Sequence, residues 1–337
     1  MADRQKVTLK TIAEQTGLAL ATVSRALNDD PAIKQSTRDT VQKVAQELGY
    51  VRDPAALRLR TGRSQTVAAV FPVGFELSNH ASRLMNAVAN TLRNTSYTMT
   101  IMPYFDEEDP LVQIRKIVEF KLADGIIINS LEPNDSRVAY MLEKEFPFVS
   151  HGRCNWSDQH DYFDFDNRAF GFGAVKLLAQ RGRKHIRLIA PPQHQSYGRE
   201  MFEGGRAAAA QLGVTFDRFD DFTSDTAPEE IRIGVERCVN ASAVAKGIEP
   251  IDALVTPSAP SCMAGLDAVR ALGRTLQTDM DVVVKETPDV LVWLPPGILT
   301  VPEDTRVAGN FIARALLRRI KDPNAPLSQK LIVPDFA

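Results

Sequence analysis

The 337 residues carry 40 Lys or Arg and 42 Asp or Glu, a net charge of −2, and 44% of them are hydrophobic. Such a chain can bury a large core and should form more than one domain, and it contains no apolar span long enough for a membrane helix. Its three cysteines, Cys154, Cys238 and Cys262, are odd in number and far apart, which argues against a disulfide scaffold.

The N-terminus leads into no apolar segment, so we expect no signal peptide and a cytoplasmic location. Charge is distributed unevenly along the chain. Up to Gln65 there are eleven Lys or Arg against seven Asp or Glu, a net charge of +4, whereas the whole chain has −2. A basic N-terminal module on an acidic body favours contact with nucleic acid through one end.

Two short helices are predicted first. Apolar residues fall at helical spacing from Leu9 to Thr16, with Thr8 as the N-cap and Gly17 as the C-cap. After a sharp turn, Val23 and Leu27 share one face of a second helix, whose other face carries small hydroxyls and an arginine. Two helices joined in this way form a helix-turn-helix.

A third helix follows. The stretch Ser36-Thr37-Arg38-Asp39 has the pattern of a capping box, and the apolar stripe after it ends at Gly49. The pattern therefore predicts a three-helix domain. Taken alone, it is also compatible with an ordinary small helical bundle whose arginine is merely solvated.

From Val7 to Gly62 the chain resembles the lactose-repressor and galactose-repressor family of bacterial transcription regulators. The segments that carry the resemblance are Thr22-Val23-Ser24-Arg25, Leu27-Asn28, Leu48-Gly49-Tyr50 and Leu59-Arg60-Thr61-Gly62. Their combination is highly specific. The resemblance implies a helix-turn-helix that binds double-stranded operator DNA.

It also implies roles for individual residues. Leu20, Ala21 and Arg25 would read base edges in the major groove, because arginine can grip guanine bidentately and the other two offer apolar contact. The phosphate contacts fall on Thr22, Ser24 and Asn28. The remaining DNA-binding residues of this set are Tyr50, Leu59 and Arg60. Two positions depart from the family pattern, since Ala19 stands where a capping serine is usual and Thr11 where an acidic residue is usual.

A hinge helix is predicted after Asp53-Pro54, an N-cap followed by a proline at the first helical position. A helix this short is marginal alone in water, so we expect it to form when paired with its dimer mate on DNA. The family inserts a leucine, here Leu59, into a central minor-groove step. The alternative is that Leu59 packs in a core.

From Thr66 strands and helices alternate, which predicts an α/β domain with doubly wound parallel sheets. The rhythm restarts near Asn167, so we expect two lobes, resembling the periplasmic sugar-binding proteins with three crossovers. The predicted domains are 1–49 for DNA binding, 50–65 for the hinge and linker, and 66–337 for effector binding and dimerisation. Within the last, the N-lobe is expected at about 66–163 plus 296–322 and the C-lobe at about 164–295 plus 323–337.

A ligand cleft is expected where the strands end, because ligands collect at the carboxyl ends of parallel strands. The effector-binding residues predicted there are Phe75, Glu76, Asn79, His151, Arg153, Asp166, Tyr197, Ser258, Lys285 and Glu286. A sugar needs polar partners and an aromatic face, for which Trp156 and Trp293 are further candidates. The alternatives are that Asp166 caps a helix and that the tryptophans pack.

Other positions depart from the family's commonest pattern, among them Met201 and the segment Lys285-Glu286-Thr287. The segments Phe148 to Arg153 and Val284 to Thr287 look like the branch associated with α-glucosides and raffinose-type sugars. We therefore expect an effector of that chemical class.

No phosphate-binding loop, dinucleotide fingerprint or nucleophile elbow occurs, so no enzyme activity and no cofactor are expected. His151, Cys154 and His160 lack a fourth metal ligand, and no metal site is predicted. The sequence predicts a dimeric regulator, a repressor controlled by a small carbohydrate. The alternative is a sugar-binding protein without a role on DNA.

Overall fold

The chain divides into two units between Ser64 and Gln65. In the computed structural model, the residues described are 7–50, 58, 62–73, 80–105, 107–244 and 250–336. No helix within these ranges combines the length and the hydropathy that a bilayer span requires.

The N-terminal unit contains three helices, α1 (Leu9–Thr16), α2 (Leu20–Leu27) and α3 (Gln35–Glu47). Each buries one apolar stripe against the other two, as amphipathic helices of this length must do to be stable. The shared core consists of Ile12, Val23, Ala26, Leu27, Val41 and Ala45.

Helix α1 begins and ends where its sequence predicts. The Thr8 hydroxyl accepts a hydrogen bond from the Thr11 amide at 3.4 Å, and the Thr11 hydroxyl accepts one from the Thr8 amide at 3.2 Å. Threonine thus completes the reciprocal box that an acidic residue usually forms. Gly17 closes the helix in the left-handed region at φ 68°. Ala19, before α2, makes no side-chain cap.

The capping box predicted at Ser36 is wrong. Helix α3 begins at Gln35, and Lys34 before it makes no side-chain cap. The entry is instead fixed by the preceding turn, because Arg38 Nη1 donates to the Asp30 carbonyl at 2.9 Å. This contact joins the first turn of the helix to the turn before it, and the helix begins two residues earlier than a cap at Ser36 would place it.

The second unit contains two parallel sheets. The strands of the first are β1 (Thr66–Pro72), β2 (Thr98–Tyr104), β3 (Gly125–Ile128), β4 (Phe148–His151), β5 (Asp161–Phe165) and β11 (Gln329–Ile332), in the order β11-β5-β4-β3-β1-β2. The strands of the second are β6 (His185–Leu188), β7 (Thr215–Arg218), β8 (Ala253–Thr256), β9 (Asp281–Glu286) and β10 (Leu299–Pro302), in the order β10-β9-β8-β6-β7. The predicted α/β class with parallel sheets is confirmed.

Helices connect the strands, as parallel pairing requires. They are α4 (His80–Leu92), α5 (Pro110–Glu119), α6 (Ser136–Glu143), α7 (Asn167–Gln180), α8 (Ser196–Leu212), α9 (Pro228–Val244), α10 (Ala259–Ala271), α11 (Pro288–Leu291) and α12 (Thr305–Lys321). Helices α4 and α12 pack together over the first sheet, where Leu84, Ile312 and Leu316 join Val149 in one core.

Two strands lie in the opposite sheet from the lobe boundaries expected from the sequence. Strand β10 pairs with β9, with Thr300 opposite Val284, although residues 296–322 are expected in the first lobe. Strand β11 pairs with β5, with Lys330 opposite Phe163, although residues 323–337 are expected in the second. Both are four-residue edge strands, too short for a periodic pattern, and their pairing depends on residues distant in the chain.

Helices α7 and α8 approach closely because each contains a glycine that faces the backbone of the other helix. A Cβ on Gly171 would lie 2.0 Å from the Met201 carbonyl oxygen, and one on Gly204 would lie 2.0 Å from that of Arg168. No larger residue fits at either position without moving a helix. The close packing orients the first turn of α8, which contributes to the site described next.

Candidate functional site

A cavity of about 180 Å³ lies between the two sheets. Pro72, His151 and Glu286, at the carboxyl ends of β1, β4 and β9, belong to its lining. This is the edge at which parallel sheets bind ligands, since the loops after the strands diverge there.

The cavity contains most of the predicted effector residues that the structure describes. His151, Arg153, Tyr197, Ser258, Lys285 and Glu286 all line it. They come from loops and strand ends spread over more than a hundred residues of sequence, and the two parallel sheets bring them to one place.

Asp166 does not line the cavity. Its carboxylate accepts a hydrogen bond from the Ala169 amide at 2.9 Å and caps α7, the alternative left open above. Of the aromatic candidates, Trp156 packs against the core beneath the first sheet, and Trp293 is 84% exposed after α11. Phe75, Glu76 and Asn79 lie outside the described residues.

The lining also contains charged or ionisable side chains that the effector prediction did not name, among them His80, Asp164 and Glu303. His80 begins α4 and Glu303 follows β10, a strand that the pattern did not predict. Asp164 carried the clearest signal, because an acidic residue inside the buried strand β5 requires a partner.

The loop after β3 is held by a buried ion pair. Arg137 and Asp135, with side chains 3% and 2% exposed, approach to 2.6 Å. Arg137 Nη2 also donates to the carbonyls of Asn129 and Ser130, at 3.1 and 3.0 Å. The pair therefore fixes the backbone of two residues that line the cavity.

Arg153 links the two sides of the cavity. Its Nε donates to Asp164 at 2.8 Å, and its Nη2 donates to Glu200 of α8 at 3.0 Å. Burial raises the pKa of Asp164, Arg153 opposes that shift, and the resulting pKa is about 7. Burial also raises the pKa of Glu200.

A second polar cluster surrounds Lys285. Its ammonium lies 2.6 Å from Glu303 Oε2 and over the rings of Phe165 and Tyr197, 5.0 and 5.9 Å from their centroids. Burial disfavours the charged carboxylate of Glu303, but Lys285 and the adjacent histidines outweigh it and lower its pKa to about 2. The ion pair is thus buried, charged and close to a favourable cation–π geometry.

The carboxylate of Glu286 is occupied by the backbone. It accepts hydrogen bonds from the amides of Ala259 at 3.1 Å and Thr287 at 2.7 Å. Ser258 caps α10 through the Ser261 amide. Both predicted residues therefore shape the cavity wall through helix ends, in addition to lining it.

Several lining groups have polar atoms that are buried and make no hydrogen bond. These atoms are Asn129 Oδ1, His151 Nε2, Asn167 Oδ1 and Ser196 Oγ. Unsatisfied buried polar atoms are costly in a folded protein, and here they share one cavity. Their concentration indicates a polar ligand that supplies hydrogen-bond donors.

The three residues considered above as metal ligands do not come together. Cys154 Sγ lies 3.8 Å from His160 Nε2, beside the core under the first sheet. His151 instead lies beside His80 on the cavity wall, with the ring centroids 5.2 Å apart and the ring planes tilted by 52°.

Helix α2 presents the predicted DNA-reading residues on its outer side. Leu20 is 52% exposed, and Ala21, Arg25 and Asn28 are also exposed. Val23, Ala26 and Leu27 are buried on the opposite side. Arg25 Nε donates to Asp30 at 2.8 Å, which braces the guanidinium and raises the pKa of Arg25.

Other predicted DNA-binding residues are less exposed to solvent. Thr22, Ser24 and Tyr50 are half-buried. Asn28 is the C-cap of α2, and its side-chain amide donates a hydrogen bond to the Ser24 carbonyl at 2.5 Å. Leu59 and Arg60 lie outside the described residues.

Comparison with known proteins identifies relatives of both units. Residues 8–53 match the family of bacterial regulatory proteins called the lacI family, and residues 175–336 match a periplasmic binding protein-like domain. The chain is 28% identical over 319 residues to the HTH-type transcriptional regulator AglR of Rhizobium meliloti (strain 1021), covering 92% of this chain and 87% of the relative.

Solved structures share the fold over the whole chain. The lac repressor dimer bound to operator and the anti-inducer ONPF has a TM-score of 0.80 at 20% identity, covering 98% of this chain and 97% of that one. The complex of the transcriptional regulator CelR with cellobiose has a TM-score of 0.67 at 24% identity and covers 98% of each chain.

Proposed function

We propose that the chain is a DNA-binding regulator of the LacI family, and that it is a homodimeric repressor whose operator affinity changes when a small carbohydrate enters the cavity. The observation that carries the effector half of this proposal is the group of unsatisfied buried polar atoms on the cavity wall. The helix-turn-helix carries the other half. A regulator of this kind acts in the cytoplasm, where its operator lies.

On DNA, α2 enters the major groove with Leu20, Ala21 and Arg25 toward the bases. Asp30 binds Arg25 through Nε, so the two terminal nitrogens of the guanidinium point away to grip guanine O6 and N7. Thr22, Ser24 and Asn28 hold phosphates beside it, and Tyr50 contacts the backbone after α3.

The segment 50–65 acts as the hinge between the DNA-binding domain, residues 1–49, and the effector domain, residues 66–337. Leu59 wedges into the central minor-groove step, and Arg60 contacts the adjacent phosphates. Both residues lie outside the described ranges, so the sequence resemblance alone supports these roles.

The effector is a carbohydrate because its hydroxyls can donate to the side-chain oxygens of Asn129 and Asn167, which are buried without hydrogen-bond partners. Tyr197 offers an aromatic face for the C–H side of a sugar ring. The CelR–cellobiose complex, which shares the fold, supports this class of ligand. The α-glucoside or raffinose-type branch remains our choice within the class.

Dimerisation uses the open edge of the first sheet. Strand β2 ends the described sheet order, and Ile101 on it is 50% exposed. Phe105, Val112 and Phe120, around the start and end of α5, are 54%, 59% and 64% exposed. Several exposed apolar side chains on neighbouring segments are typical of an association surface, and an operator with two half-sites requires two DNA-binding domains.

Coupling between effector and DNA runs through the angle between the lobes. The amide of Ser196 donates to the Leu131 carbonyl at 2.7 Å, and Arg153 binds Glu200, so contacts across the cavity already join the two sides. A ligand that favours one angle changes the spacing of the two hinge helices. A coupling of about 1–3 kcal/mol is sufficient to switch operator occupancy.

The proposal is tested by fluorescence anisotropy of the full chain on labelled DNA from upstream of its own gene, at fixed salt, with a panel of mono- and disaccharides. We expect tight, specific binding that one sugar relieves. Specific binding unaffected by every sugar would remove the carbohydrate from the proposal. Absence of specific binding would favour the alternative, a sugar-binding protein without a DNA role.

A further inference from the structure

One cluster on the cavity wall has a chemistry that sugar recognition does not require. It consists of His80 at the start of α4, His151 at the end of β4 and Glu303 after β10. One ligand atom from each lies within 4.8 Å of the others. Three elements that are distant in sequence thus bring two imidazoles and a carboxylate to one point.

We propose that His80, His151 and Glu303 bind a divalent transition-metal ion in the cavity. Two histidines with one carboxylate form a ligand set used for zinc and for other transition metals. Metal–ligand distances of about 2.1 Å place ligand atoms about 3.4 Å apart in a tetrahedral site, so metal binding shortens the distances between these ligand atoms by up to roughly 1.4 Å.

The state of the ligands supports the site independently. His151 Nε2 is buried and makes no hydrogen bond, which leaves its lone pair or proton without a partner in the cavity wall. The His80 and His151 rings already lie with their centroids 5.2 Å apart. Imidazole nitrogens and carboxylate oxygens are ligand atoms that transition-metal ions bind.

Lys285 is the group that opposes the ion. Its ammonium lies 2.6 Å from Glu303 Oε2 and occupies one side of that carboxylate. The metal uses the other oxygen and is repelled by the ammonium, so Lys285 lowers the affinity of the site for a cation. Replacing Lys285 by methionine should therefore tighten metal binding.

Three protein ligands leave at least one coordination position open. Because the cluster lines the cavity, that position faces the space where a ligand enters. Water fills it in the absence of a ligand, and a ligand oxygen can replace the water. The ion would thus be part of the effector-binding cavity, and its presence does not depend on which sugar is the effector.

The test uses untagged full-length protein, stripped with EDTA, dialysed and titrated with CoCl₂. We expect one Co²⁺ per chain with the visible absorption of a four- or five-coordinate ion. His80→Ala and His151→Ala should each weaken binding at least about tenfold, since loss of a direct ligand costs no less than loss of an outer-shell partner. Lys285→Met should lower the melting temperature in EDTA and recover it with Co²⁺.

Two histidine variants serve as controls. His194→Ala removes an exposed histidine, and His160→Ala removes the imidazole next to Cys154, so both should leave the spectrum unchanged. His151→Gln, checked by circular dichroism and by mass in solution, guards against loss of folding. Absence of a visible band at saturating Co²⁺, or a band that survives in both ligand variants, would overturn the inference.

Operator binding measured on the same EDTA-treated samples separates the two proposals. Protein that binds its operator and responds to a sugar, but takes up no Co²⁺, contradicts only the metal site. Protein that takes up Co²⁺ at these three residues without binding an operator contradicts only the proposed regulation.

Discussion

Asp135 and Arg137 form an ion pair that is almost fully removed from solvent, and its partners lie on the loop that shapes the cavity. Burial disfavours the charged form of Asp135, but hydrogen bonds and charge attraction from Arg137 outweigh this and lower its pKa. A charge left alone in such a place is far more costly than one lost from the surface.

Asp135→Ala should therefore lower the free energy of unfolding by about 3–5 kcal/mol, because it leaves Arg137 buried and unpaired. Glu203→Gln, which breaks the exposed pair with Arg168, should cost at most about 1 kcal/mol. Urea denaturation at pH 7 measures both. Equal losses would mean that burial does not decide the value of these pairs.

The stability difference between the wild type and Asp135→Ala should depend on pH, and the pKa of Asp135 determines the direction of that dependence. Since the folded pKa of Asp135 lies below its ordinary value of 3.8, the stabilisation is present above that value and is lost as the pH falls through the folded pKa. The difference in unfolding free energy between wild type and Asp135→Ala should thus stay constant from about pH 7 to 5 and shrink below about pH 4. A difference that grew in acid would contradict this.

For Arg25, a base-specific contact can be distinguished experimentally from a purely electrostatic contribution to DNA binding. Arg25→Ala should weaken binding to the operator by about 1–3 kcal/mol, the value of one bidentate base contact, and change binding to random DNA much less. Lys43→Ala, which removes an exposed charge on α3, is the matched control. Equal losses on both DNAs, measured by anisotropy at fixed salt, would exclude a base-reading role.

At the scale of elements, the α7–α8 contact depends on Gly171 and Gly204 rather than on large side chains. Each glycine faces the backbone of the other helix, so an added methyl group has no flexible neighbour to displace. The helices must separate instead, and the first turn of α8, which supplies Ser196 and Tyr197 to the cavity, must move with them.

Gly204→Ala should cost about 1–3 kcal/mol or more, the range for overpacking a tight contact. Gly213→Ala provides the comparison, because Gly213 ends α8 at φ 68° with nothing within 4 Å of an added Cβ. Gly213→Ala introduces backbone strain but no steric clash, and it should lower the free energy of unfolding by about 1 kcal/mol. Urea denaturation compares the two variants. If Gly213→Ala proved the more harmful, backbone strain would outweigh helix packing.

At the scale of the whole molecule, the proposed repressor needs a second copy. Ile101→Lys places a charge in the centre of the exposed face on β2 and should shift the molecular mass from dimer to monomer, as light scattering would show. Leu212→Lys alters an apolar side chain that is 44% exposed at the end of α8 and should leave the dimer intact. A dimer that tolerates Ile101→Lys would place the interface elsewhere.

The sequence by itself determined features that depend on neighbouring residues. Thr8 and Gly17 marked the ends of α1 because caps act within a few residues, and the spacing of Val23 and Leu27 set the buried side of α2. The alternation after Thr66 determined the α/β class. Residues such as His151 and Lys285 could be assigned to one cavity because parallel strands end at a common edge.

Only the tertiary structure decided what depends on distant partners. Strand β11 lies beside β5, and β10 beside β9, through pairings that no local pattern encodes. Asp164 faces the cavity while Asp166 caps a helix, because β5 ends between them at Phe165. The proximity of His80 and Glu303 could not be predicted from sequence, since more than two hundred residues separate them along the chain and only the tertiary structure brings their side chains together.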